Sequence, residues 1–236
     1  FVEDTAVAPE KLTEYVRRFD QIVQEHNTTT GYYGHASEGC LHIRPMINLK
    51  LQEGLDRMVS IAGQISDLVL EFGGAMTGEH GDGIVHGVWN EKMFGPEIYK
   101  LFQKLKGTFD PDGIMNPGKI IETPGIREVL RLGPDTANLD VPTFMDFSVD
   151  VGFAGHLELC NGQGACRMTD GGMCPSYLVT LEEEHSTRGL ANLLRMILSG
   201  KLPHEELRSD RLQAALDLCI ECKVCKAECP SNVDMA

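Results

Sequence analysis

Apolar residues recur along the first half of the chain at spacings that alternate between helical and extended. From Pro9, where a helix can begin, Leu12, Tyr15, Val16, Phe19, Ile22 and Val23 fall on one helical face. Two extended stretches follow, TTTGYYGHA and CLHIRPMIN, separated by a break at Ser37-Glu38-Gly39. Leu51, Leu55, Met58, Val59, Ala62, Ile65, Leu68, Val69 and Phe72 mark a long amphipathic helix that Gly73-Gly74 would end. AMTGEHGDG reads as a short strand opening into a glycine-rich loop, and Pro96 starts a helix carrying Ile98, Tyr99, Phe102 and Leu105. This order predicts an α+β domain, a helical layer on a mostly antiparallel sheet.

From about Ile121 to Asp150 the periodicity fades, and Pro124, Gly125, Gly133, Pro134 and Pro142 punctuate the stretch. The predicted organisation is therefore a domain over 1–122, a linker over 123–150 and a second domain over 151–236. The second domain is expected to open on an extended segment, DFSVDVGFAGHLEL. Ser186 is placed to cap a helix carrying Leu190, Leu193, Leu194, Ile197 and Leu198, closed by Gly200. A further helix is expected from about Pro203 through Leu212 and Leu216.

The 236 residues carry a formal charge of -14. Such a surface repels a nucleic-acid backbone, so nucleic acid is excluded as a partner. No signal peptide is recognisable and no apolar run is long enough to cross a bilayer, so a reducing, cytoplasmic setting is expected, with any membrane association made through a partner. Phe1 is not a methionine and the chain stops soon after its last cysteines, so it reads as a fragment.

The cysteines change the picture. Cys40 stands apart and reads as a buried structural thiol, whereas seven fall between Cys160 and Cys229. Cys219, Cys222, Cys225 and Cys229, followed by Pro230, have the spacing C-x2-C-x2-C-x3-C-P. Two-residue gaps let one tight loop wrap three corners of a cubane, and the fourth thiolate commonly serves the other cluster of a pair. The earlier motif has Cys160, Cys166 and Cys174, with Gln163 where a middle cysteine would stand. Exchange of fourth ligands would give Cys219, Cys222, Cys225 and Cys174 one cluster, and Cys160, Cys166 and Cys229 the other. Three thiolates suit a three-iron cluster, or a four-iron cluster with a non-cysteine ligand. One cluster alone, or a structural zinc, are the alternatives.

Two stretches of the first domain concentrate other chemistry. GHASEGCLH supplies His35 and His42, and TGEHGDG supplies Glu79 and His80. Two imidazoles and a carboxylate make a ligand set for a catalytic divalent metal such as Zn, Mn or Fe. In one unbroken strand His35 and His42 would face opposite ways, and the break at Ser37-Glu38-Gly39 is what could bring them together. Satisfied surface or core histidines are the plainer reading.

The motifs GHASEGCLHIRP, GGAMTGEHGDG and FDPDGIMNPGKI, in that order, resemble the end of the FAD-linked oxidases. These are flavin-dependent D-2-hydroxy-acid dehydrogenases of the D-lactate dehydrogenase and glycolate oxidase D-subunit type. MCPSY, EEEHSTRG and the final cysteine run resemble the mostly helical, ferredoxin-like iron–sulfur domain fused behind the flavin part in large members. The resemblance implies roles. His35, His42 and Glu79 would bind the divalent metal, His80 would be the general base, and Asn116 would lie near the flavin. Where the family often has an asparagine this chain has Arg44, a residue suited to a substrate carboxylate.

The implied activity is oxidation of a small 2-hydroxy acid, lactate- or glycolate-like. Electrons would pass through 4Fe-4S clusters to a quinone, cytochrome or partner redox protein. The family binds FAD mainly through an N-terminal domain with no counterpart here, so this fragment alone is expected to be inactive. The rival readings are a reductase subunit acting on quinone or disulfide, and a non-enzymatic iron–sulfur sensor or electron-transfer module.

Overall fold

In a computed structural model that describes residues 1–236, the apolar stripes of the first half become α1 (Leu12–Glu25) and α2 (Gln52–Glu71). Tyr15, Phe19 and Val23 of α1 bury against Ile61, Ala62, Ile65 and Val69 of α2. The buried Tyr15 hydroxyl donates to Thr5 Oγ1 at 2.8 Å, which satisfies the one polar atom this ring carries into the core. Gly73, at φ 69, closes α2. Its N–H donates to Leu70 O and that of Gly74 to Val69 O, the paired bonds of a left-handed helix stop.

Three strands lie beside these helices: β1 (Thr5–Ala6), β2 (Thr30–His35) and β3 (Cys40–Pro45), antiparallel in the order β1-β3-β2. β3 is the central strand and sends Ile43 into the core. A helical turn at Ala36–Glu38 joins β2 to β3, and Gly39 at φ 69 completes the reversal. Only glycine fits there, because a Cβ would come within 1.8 Å of Val7 O.

The AMTG stretch makes one bridge instead of a strand. Ala75 exchanges two hydrogen bonds with Ala6, and Gly78 N then turns to Asp4 O at 2.7 Å. α3 (Asn90–Phe109) begins before Pro96, and a break at Gly95, φ 78, accommodates the proline. The chain divides into two units, Phe1–Asp135 and Thr136–Ala236. Residues on either side of this division pack on their own unit. Ile126 joins the first core, and Leu139 N donates to Leu198 O in the second.

The second unit is helical: α4 (Phe153–Glu158), α5 (Pro175–Thr180), α6 (Thr187–Leu198), α7 (Asp210–Asp217) and α8 (Val224–Glu228). The segment expected to be extended before Cys160 is α4, because helical spacing packs Leu157 onto Leu194 and Ile197. Ser186 Oγ accepts the Gly189 N–H at 2.9 Å and starts α6. The helix expected from Pro203 is split. A short turn at His204–Arg208 ends where Ser209 caps α7 through Leu212 N. The architecture is thus an α+β domain with a small antiparallel sheet, followed by a mostly helical domain. No helix is long and apolar enough to cross a membrane.

Candidate functional site

The β2–β3 hairpin sets the histidines. Tyr33 pairs with His42 and His35 with Cys40, so His35 and His42 share one face as diagonal neighbours. Their rings meet edge to face at 5.6 Å. Glu79 arrives from the glycine loop after the Ala75 bridge. Its Oε1 lies 2.8 Å from His42 Nε2 and 3.4 Å from His35 Nε2. His42 is 3% exposed, and its ring is stacked on that of His80 at 4.8 Å.

Two residues from the chain's start, Glu3 and Asp4, complete the cluster, and sequence reasoning missed both. Asp4 is 1% exposed and sits at φ 81. Its carboxylate accepts the N–H groups of Glu79 at 3.1 Å and His80 at 2.8 Å, and the Cys40 thiol at 3.4 Å. Burial works to raise the Asp4 carboxyl. The hydrogen bonds from His80, Glu79 and Cys40 outweigh it and hold the group below the usual carboxylate value. Burial and the neighbouring Asp4, Glu79 and Glu3 carboxylates push the Cys40 thiol up to about 11. Cys40 is therefore a protonated donor to Asp4. Glu3 Oε1 lies 3.4 Å from His42 Nδ1 and 3.6 Å from His80 Nδ1.

The donor set fits a divalent ion. Imidazole and carboxylate atoms converge on one another, and buried His42 Nδ1 has no hydrogen-bond partner. Asp4, Cys40, His42 and Glu79 present donors within 4.8 Å of one another, as do Glu3, His42 and His80; His35 belongs to neither group and reaches the site at Glu79 Oε1, 3.4 Å away. Arg44, on the His42 face of β3, lies 3.4 Å from Glu3 Oε1 and over the Tyr33 ring at 5.1 Å. Asn116 is exposed, at φ 46, and accepts from Lys119. Its segment is tied to the glycine loop, with Ile120 N donating to Gly83 O, while Asn90 Nδ2 bridges Ile120 O and Asp82.

In the second unit seven thiols line two cavities. Cys160, Cys166 and Cys229 line one, and Cys174, Cys219, Cys222 and Cys225 line the other. Thiol-lined cavities of this kind suit iron–sulfur clusters. Thr187, at the start of α6, belongs to both linings. Backbone N–H groups already point at sulfur: Arg188 N at Cys166 Sγ, 3.3 Å, and Met235 N at Cys225 Sγ, 3.4 Å. Burial pushes the Cys166 thiol up, opposed by the Arg188 N–H.

Comparison with known proteins places both parts. The family of FAD linked oxidases, C-terminal domain, matches residues 1–120, and a 4Fe-4S dicluster domain matches residues 159–234. A D-2-hydroxyglutarate dehydrogenase of Haemophilus influenzae is 30% identical over 269 residues, covering all of this chain and 26% of the relative. One from Pseudomonas putida is 34% identical over 272 residues, again covering all of this chain and 26% of the relative. A D-lactate dehydrogenase of Archaeoglobus fulgidus is 35% identical over 121 residues, 51% of this chain and 26% of its own length. The chain thus spans about a quarter of the length of these relatives.

Proposed function

Because this chain belongs to the FAD-linked oxidases, we propose that it supplies the substrate side and the electron exit of a dehydrogenase for D-2-hydroxy acids. The observation that carries this reading is the approach of His35 and His42 to one oxygen of Glu79, with His80 stacked beside them. The relatives matched along the whole chain are named for D-2-hydroxyglutarate, which favours that acid over lactate or glycolate. Its second carboxylate gives Arg44, which lies over the Tyr33 ring and 3.4 Å from Glu3 Oε1, a further group to pair with.

When bound, a divalent ion would supply Lewis acidity at the substrate hydroxyl, FAD would supply the hydride acceptor, and iron–sulfur clusters would supply one-electron carriers. His35, His42 and Glu79 would hold the ion. His80 Nε2 takes the hydroxyl proton. The ring has a carboxylate oxygen 3.6 Å from each nitrogen, Glu3 at Nδ1 and Glu79 at Nε2; with Glu79 engaged by the ion, Glu3 is the one left to hold the Nδ1 proton. Asp4 fixes the backbone of Glu79 and His80, so ligand and base are aimed by one buried carboxylate. Asn116 is the flavin-side residue of this segment, and most contacts to FAD lie outside these residues. The seven thiols hold the clusters that lead to a quinone, cytochrome or partner redox protein.

Anaerobic mixing of the full-length enzyme with D- and L-2-hydroxy acids, followed by flavin absorbance, tests the reading. Bleaching by D-2-hydroxyglutarate and not by its L enantiomer is expected. Failure of every D-2-hydroxy acid to bleach the flavin would sink it.

A further inference from the structure

The two cavities of the second unit differ in their donors. One has four thiols, Cys174, Cys219, Cys222 and Cys225. The other has three, Cys160, Cys166 and Cys229, and its remaining polar lining is Asn161, Gln163, Thr187, Arg188 and Ser231. Neutral amides and hydroxyls are poor ligands for a cluster iron, whose corners select soft thiolate, and a guanidinium cannot ligate at all.

The loop that would bring a fourth thiol is held in place without one. Gly162 at φ 84 and Gly164 at φ 82 flank Gln163. Gln163 N donates to Asn161 Oδ1 at 2.9 Å, which engages that amide oxygen within the turn. Arg188 Nη1 donates to Gly162 O at 3.1 Å, while its Nε and Nη2 bind the Glu183 carboxylate at 2.8 and 2.9 Å. A Cβ on Gly164 would come within 2.9 Å of Arg188 Nη1, so the loop packs directly on this clamp. Gln163 itself lines the cavity midway between Cys160 and Cys166, where a cysteine would restore the C-x2-C-x2-C spacing of the other motif.

We infer that the Cys160, Cys166 and Cys229 cavity takes a three-iron cluster as its resident form, beside a four-iron cubane in the other cavity. Gln163 is the residue that sets the difference. The inference rests on the iron–sulfur part of the proposed function and is independent of its hydroxy-acid chemistry.

The test uses full-length protein purified without exposure to air, because oxygen strips iron from an open cubane corner. The protein is poised oxidised with a mild dye. EPR and Mössbauer spectra are recorded, and iron and sulfide are quantified per chain. A three-iron cluster is paramagnetic when oxidised and an oxidised four-iron cubane is diamagnetic. The expected wild-type result is an oxidised-state EPR signal and one iron fewer than two cubanes carry. In Gln163→Cys the signal is lost and one iron is gained. Wild-type protein with two cubanes' worth of iron and no oxidised-state signal would overturn the inference while leaving the dehydrogenase reading intact. A Gln163→Cys protein that binds iron yet keeps the signal also overturns it. Absence of any cluster defeats both.

Discussion

His42 Nε2 lies 2.8 Å from Glu79 Oε1, and the two reach each other from separate elements, a central strand and a glycine loop. Both groups are donors a divalent ion would share. Glu79→Gln keeps the shape and removes the charge. It is expected to weaken metal binding by more than the about 10–100-fold that loss of an outer-sphere partner costs. Metal analysis of the purified full-length variant, with activity before and after adding metal, checks this.

His80 is assigned the proton transfer. His80→Gln should lower kcat by about 10²–10⁴-fold while metal content and KM stay near wild type. Steady-state kinetics with metal analysis separates this from a structural fault, which would alter all three.

Asp4 is buried and accepts both backbone N–H groups of the Glu79–His80 pair. Asp4→Ala leaves those donors unpaired, at a cost of ~1–3 kcal/mol, and should lower Tm. Asp4→Asn should cost less, since it keeps one acceptor oxygen and tolerates the left-handed backbone at φ 81. Thermal unfolding of the two variants gives the order. Equal Tm for both would remove Asp4 from its positioning role.

The helices could be read from the sequence because their stripes pack locally. Tyr15, Phe19 and Val23, and Leu190, Leu194 and Ile197, each bury one face of a single element. The lining of the two cavities likewise follows from spacing, since two-residue gaps bring three thiols of α8 and its approach around one space. The rest depends on partners distant in sequence. Glu3 and Asp4 meet the glycine loop only through β1 and β3, and nothing in FVEDTA marks them as ligands or clamps. The alternation of Val149, Val151 and Phe153 suggests a strand where α4 forms, because the packing partners of Leu157 lie on the distant α6.

Asp110 anchors the approach to Asn116. It accepts from Lys106 at 2.6 Å, Ile114 N at 2.9 Å and Met115 N at 3.0 Å. The Lys106 hydrogen bond, then the two backbone N–H groups, outweigh burial and hold this carboxyl below the usual 3.8. A depressed carboxyl stabilises the fold above its unfolded pKa, and that contribution is lost as pH falls through the lower folded value. Stability should therefore decline as pH drops below about 4, near the unfolded carboxyl value. Asp110→Asn should flatten that decline, as read from denaturant midpoints across acid pH. An unchanged slope would exclude Asp110 as a contributor.

In the proposed function, electrons taken from a D-2-hydroxy acid leave through clusters held by the thiols of the second unit. The direct measurement is freeze-quench EPR of the anaerobic full-length enzyme after mixing with D-2-hydroxyglutarate, with the flavin spectrum recorded in parallel. Flavin reduction followed by change in the cluster signals is expected, both abolished in His80→Gln on the same timescale. Flavin that bleaches while every cluster signal stays unchanged would contradict it.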